Sequence, residues 1–155
     1  MQNIEQEIAA MMEEICEESA EIIAEEATEY FKERFETKEW NGVQWLPAKN
    51  PPSQGSLLYR SRRLMNSIRP TEVTPTRVVI TAGDNKDISY AQVHNEGFSG
   101  KVNVNTFTRN VNGKPQQVKA HTRNTTIPKR QYMGETEELD ERIIGRIETL
   151  IQSKL

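Results

Sequence analysis

A chain of 155 residues has the length of about one domain and could bury about 68–70% of the surface its unfolded form exposes. At 35% apolar and 28% charged residues, with a mean hydropathy of −0.75, its core is lean and invites help from partner subunits. No run of about 18 apolar residues occurs and the N-terminus is acidic and amphipathic, so neither a membrane span nor a signal peptide is expected, and cytoplasmic use is.

Charge is segregated. Residues 1–39 carry 13 acids and 3 bases, residues 40–130 carry 4 and 14, and residues 131–155 carry 6 and 3. A basic middle between acidic ends suits nucleic acid or, equally, the acidic helix of a neighbouring copy.

From Ile4 to Phe35, apolar residues recur in steps of three and four: Ile4, Ile8, Met11, Met12, Ile15, Ile22, Ile23, Ala27, Tyr30, Phe31 and Phe35. The spacing predicts an amphipathic helix within 1–39, capped by Asn3 with Gln6 and about 48 Å long. That is longer than a small domain is wide, so part of its stripe is expected to project towards another chain. Cys16 lies on the same pattern and reads as a small buried hydrophobe rather than a catalytic thiol.

The helix gives way to "EWNGVQWLP", where Asn41-Gly42 signals a tight turn and Pro47 blocks further helix; Trp40 and Trp45 are expected to anchor this loop on the core. A Pro/Gly/Ser-rich loop at 48–56 follows, then a short amphipathic helix over 57–68 that ends by Pro70. The β-branched run 76–81 reads as a strand bounded by Gly83-Asp84-Asn85, while "ISYAQVH" fits a strand or a short helix. Residues 101–109 alternate, Asn112-Gly113 supplies a turn and 115–123 return, which predicts a polar β-hairpin arm over 101–123. A last helix over 135–155 carries Leu139, Ile143, Ile144, Ile147, Leu150 and Ile151. The order implies one α+β domain over 1–155, with a long N-terminal helix and a C-terminal helix packed on a small antiparallel sheet and a protruding β-hairpin.

Four short motifs stand in register across 35–134: Phe35, Gly42, Trp45 and Pro47; Arg63, Leu64, Ser67 and Ile68; Tyr90, Ala91, His94 and Gly97; Ile127, Pro128, Arg130 and Gly134. Together they resemble the phage virion morphogenesis (tail completion) family and, more distantly, the head-tail joining tail components of tailed phages. One departure is that Ser61-Arg62 stand where the family usually has Thr-Gly before its Arg-Leu, which puts a glycine-dependent turn in question. The hairpin falls in a region expected to vary in length.

The resemblance implies a structural protein of a phage or prophage, made in the host bacterial cytoplasm and placed in the virion tail or neck. It would act as a homo-oligomeric ring, by analogy a hexamer, in tail completion or termination and in head-tail joining. Its partners would be its own copies, the tail tube and the head connector, without membrane, cofactor or catalysis. The motif residues would be structural: Tyr90 and Ala91 packed inward, Gly97 making a turn, His94 bonded to backbone, Asn95 and Glu96 exposed. Arg130 and Arg60–Arg63 would meet the Glu-rich helix of a neighbour.

Two other readings compete. A metal-dependent hydrolase would draw on His94, Glu96 and His121, which is the minimum of three ligands and lacks a His-x-x-x-His or Cys-x-x-Cys spacing. A basic module contacting DNA in transit would use the cations of residues 40–130 without a recognisable binding motif.

Overall fold

In the computed structural model, which describes residues 2–50, 53, 55–83 and 90–155, the first element is a 36-residue helix, α1 (Gln2–Thr37). Rich in Ala and Glu and free of Gly and Pro, it runs for about 54 Å. Asn3 lies inside it rather than capping it. Lys38 ends it in the left-handed region, at φ 55°, and donates its N–H to the Arg34 carbonyl at 2.8 Å, which satisfies one of the last orphan carbonyls. The chain then reverses through β1 (Glu39–Trp40) and β2 (Val43–Gln44), joined by Asn41 and Gly42 at φ 49° and 75°, as their ability to adopt positive φ predicts.

Of the helix expected over 57–68, only α2 (Arg63–Asn66) forms. Arg62 precedes it at φ 56°, so the turn survives the missing glycine by holding an arginine in a left-handed conformation. Strand β3 (Arg69–Thr74), hidden from the sequence reading by its Pro70, pairs antiparallel with β4 (Arg77–Thr81) and is irregular between Pro70 and Glu72. The segment "AQVHNE" resolves as helix α3 (Ala91–Glu96). Asp84-Asn85, Ile88-Ser89 and, within the 48–56 loop, Pro51, Pro52 and Gln54 lie outside the described residues.

The arm is longer than expected and interrupted. Strand β5 (Phe98–Val104) pairs with β8 (His121–Ile127) from Phe98 opposite Ile127 to Val104 opposite His121. Beyond a break, β6 (Phe107–Val111) pairs with β7 (Lys114–Val118) around Asn112 and Gly113, at φ 52° and 78°. The α+β class is as expected, with the strands distributed over four two-stranded antiparallel ladders.

Helix α4 (Glu137–Lys154) packs along α1 from Glu33 back to Glu14. Arg142 meets Glu33 at 3.1 Å, Arg146 meets Glu26 at 3.0 Å and Lys154 meets Glu18 at 2.7 Å, so partners descend on α1 as they ascend on α4 and the helices are antiparallel. The acidic helix thus takes part of its counter-charge from the C-terminal helix of its own chain. The core sits where α1 meets the loops: Tyr30, Phe35, Ile68 and Tyr132 are fully buried. Leu64, Ala91, Leu139 and both tryptophans join them.

Candidate functional site

The four motifs meet in one junction beside the C-terminal end of α1. Phe35 packs edge-on against Trp45, with ring centroids 5.8 Å apart, and at 5.0 Å against Tyr132. Such aromatic pairs add about 0.5–1.5 kcal/mol each beyond the area they bury. Trp45 donates its indole N–H to the Gln131 carbonyl at 2.8 Å. Arg130 is buried and donates Nε to the Leu46 carbonyl at 2.9 Å and Nη2 to the Pro47 carbonyl at 3.3 Å. The first motif is thereby tied to the fourth by three side-chain hydrogen bonds.

The third motif is tied in from α3. Its His94 carbonyl accepts the Arg130 N–H at 2.8 Å, and the Ala91 carbonyl accepts the Tyr132 hydroxyl at 2.8 Å. Asn95 Oδ1 accepts the N–H groups of Tyr132 at 2.9 Å and Met133 at 3.0 Å, while Nδ2 donates to the Met133 carbonyl at 3.2 Å. Gly97 ends α3 at φ 81°, and a Cβ there would stand 3.1 Å from the Lys129 nitrogen, so only glycine fits without displacement. In the second motif Leu64 and Ile68 are buried, and Ser67 Oγ donates to the Leu64 carbonyl and accepts the Gly83 N–H.

Several residues differ from their expected roles. Arg130, expected to meet a neighbour's helix, is spent on internal carbonyls. Asn95, expected to be exposed, makes three hydrogen bonds and is the motif's main polar anchor; Tyr132, between the fourth motif's fixed positions, was missed as core. Tyr90, expected inward, is 38% exposed and stands edge-on to the His94 ring. His94 bonds through its main chain, whereas its buried Nδ1 has no hydrogen-bond partner among the described residues. Burial first, and then the nearby Arg130 guanidinium, hold its imidazole below the ordinary histidine value. Cys16, expected to be buried, is exposed. Ile127 and Pro128 are half-buried where β8 leads into the junction, and Gly134 follows at φ 152° with its Cα beside Trp40 and Gln131.

The profile of the phage virion morphogenesis family matches residues 1–152, so it spans all four motifs and both terminal helices. The chain belongs to the phage virion morphogenesis family. Neither a curated protein nor a solved structure matches it. Membership supports a structural part in building the phage virion.

In this family member the ligands of the hydrolase reading stay apart. His94 and Glu96 lie on a helix, where residues two apart face different ways. His121 begins the seven-residue β8, about 20 Å of strand from Ile127, and faces the Lys119 carbonyl at 2.9 Å. Among the described residues no group of three His, Cys, Asp or Glu is placed to hold a metal, and no helix is long and apolar enough to cross a membrane.

What the protein leaves open lies away from the junction. On the first half of α1, Ile4, Ile8 and Met12 are exposed, Ile4 at 60%. On the arm every residue from Asn105 to Gln117 is exposed. Lys101, Arg109, Lys114, Lys119 and Arg123 are its charged residues, and no acid occurs between Phe98 and Ile127.

Proposed function

We propose that this protein completes the phage tail as a homo-oligomeric ring, by family analogy a hexamer, and prepares the tail to join the head connector. Assembly takes place in the host cytoplasm and leaves the protein in the tail or neck. It acts through contacts between subunits and with the tail tube and connector, without chemistry on a substrate. The observation that carries this reading is the division of the chain into a tied junction and two exposed projections, the N-terminal end of α1 around Ile4, Ile8 and Met12 and the arm. Burying Ile4, Ile8 and Met12, each a little over half exposed, against another subunit is worth roughly 1–1.5 kcal/mol per side chain, which a lean core leaves to be gained on assembly. The motif residues, in this proposal, hold the projections at fixed angles.

Light scattering at physiological salt and high protein concentration is expected to give a defined multiple of the 17.8 kDa protomer. A monomer throughout would overturn intrinsic ring formation. Phage lacking the gene should accumulate full heads beside unjoined tails of abnormal length, and normal joined particles would sink the tail-completion role. The arm's uniformly basic charge also supports non-specific contact with DNA in transit, with an affinity that falls steeply as salt rises.

A further inference from the structure

Strands β6 and β7 pack chiefly on each other, and all their residues but Val118 are exposed. Their faces nonetheless carry Phe107 and Val111, 47% and 41% exposed, flanked by Arg109 and Lys114. An apolar and basic ribbon without a partner calls for an apolar and acidic receiver, because burying its side chains removes apolar area from water and its cations then need counter-charge.

The same chain supplies such a receiver beside α1. A groove runs between α1 and the β3–β4 hairpin, floored by Ala24, Pro70 and Val73. Its rim carries Glu17, Glu21 and Glu29. These three carboxylates are exposed and, among the described residues, have no ion-pair partner, unlike Glu18 and Glu26, which α4 takes. Lys32, at one end of the groove, is the single cation among its described lining residues.

We propose that the β6–β7 tip of one copy lies in the α1/β3–β4 groove of the next, with Phe107 and Val111 on the Ala24–Val73 floor and Arg109 and Lys114 against Glu21 and Glu29. The contact joins two different surfaces, so each copy gives an arm and receives one, and a suitable rotation closes the series into a ring. This rests on the ring reading above and names the surfaces that would build it. The favoured occupant is a second copy rather than DNA because the ribbon's exposed apolar residues match the groove floor, which phosphate contacts alone would leave bare.

The test uses two full-length variants, Arg109→Glu/Lys114→Glu on the arm and Glu21→Lys/Glu29→Lys on the rim. All four positions are exposed, so circular dichroism and Tm should match the wild type. In sedimentation velocity each variant alone should associate about tenfold or more weakly than the wild type, since like charges then face each other across the contact. An equimolar mixture should recover assembly, because each reversed arm then meets a reversed groove and each native arm a native one. Wild-type assembly by either variant, or a mixture that stays dissociated, overturns the interface while leaving the ring reading intact. A wild type that never associates removes both. If the arm variant assembles normally but loses binding to a short random-sequence DNA duplex, the arm is a DNA contact and the proposal is wrong.

Discussion

The motif junction and the β-hairpin arm are both rich in polar atoms, and they dispose of them oppositely. At the junction, Trp45, Asn95, Arg130 and Tyr132 direct their polar groups at named backbone carbonyls and amides, within 2.8 to 3.3 Å. On the arm, the strand backbones pair with each other and the side chains face water. Buried polar groups cost free energy unless partnered, so the junction is intolerant of change, whereas the arm is free to vary its outer face for recognition.

This contrast is open to attack by substitution. The largest effect is expected at Phe35, fully buried between Trp45 and Tyr132: Phe35→Ala should cost about 3–5 kcal/mol in urea denaturation, through lost transfer energy and a cavity. A loss below about 1 kcal/mol would mean that the junction is not the core. Next comes Asn95→Ala, which strands the N–H groups of Tyr132 and Met133 and should cost about 1–3 kcal/mol, while Glu96→Ala beside it stays within about 0.5 kcal/mol. Equal effects at the two positions would erase the distinction drawn within α3.

A smaller effect is expected from His94. Its folded value lies below its unfolded one, so the unfolded chain binds more protons as pH falls through the ordinary histidine range. Stability should therefore decline from about pH 7 towards pH 5, and His94→Gln should flatten that slope. An unchanged slope in the variant would assign the pH dependence to other groups. The smallest effect is expected on the arm, where Phe107→Ala should leave stability within about 0.5 kcal/mol of wild type. A larger loss in the isolated protomer would show the arm to be part of the fold.

Local chemistry made much of this legible. The i, i+3, i+4 spacing announced α1 and α4, Asn41-Gly42 and Asn112-Gly113 announced their turns, and the short motifs announced the family. What stayed hidden depends on distant neighbours. Strand β3 carries a proline that argues against a strand, and it exists because β4 pairs with it. Asn95 sits at a position the motif leaves free, and nothing near it in sequence says that Tyr132 and Met133 will present two amides to it. Arg130 reads as a surface cation until the carbonyls of Leu46 and Pro47 are found 84 and 83 residues away in sequence.

By itself, then, the sequence determined the two terminal helices, the Asn-Gly turns, the unbalanced charge along the chain and the family, because each follows from spacing or from the conformational limits of single residues. Only the tertiary structure decided how charge and apolar surface are spent. The glutamates of α1 are divided between those that α4 neutralises and those left on a groove rim, and its apolar stripe between a buried second half and an exposed first half. Whether a side chain is core, anchor or free surface depends on which atoms lie within a few ångströms of it, and that is a property of the folded chain.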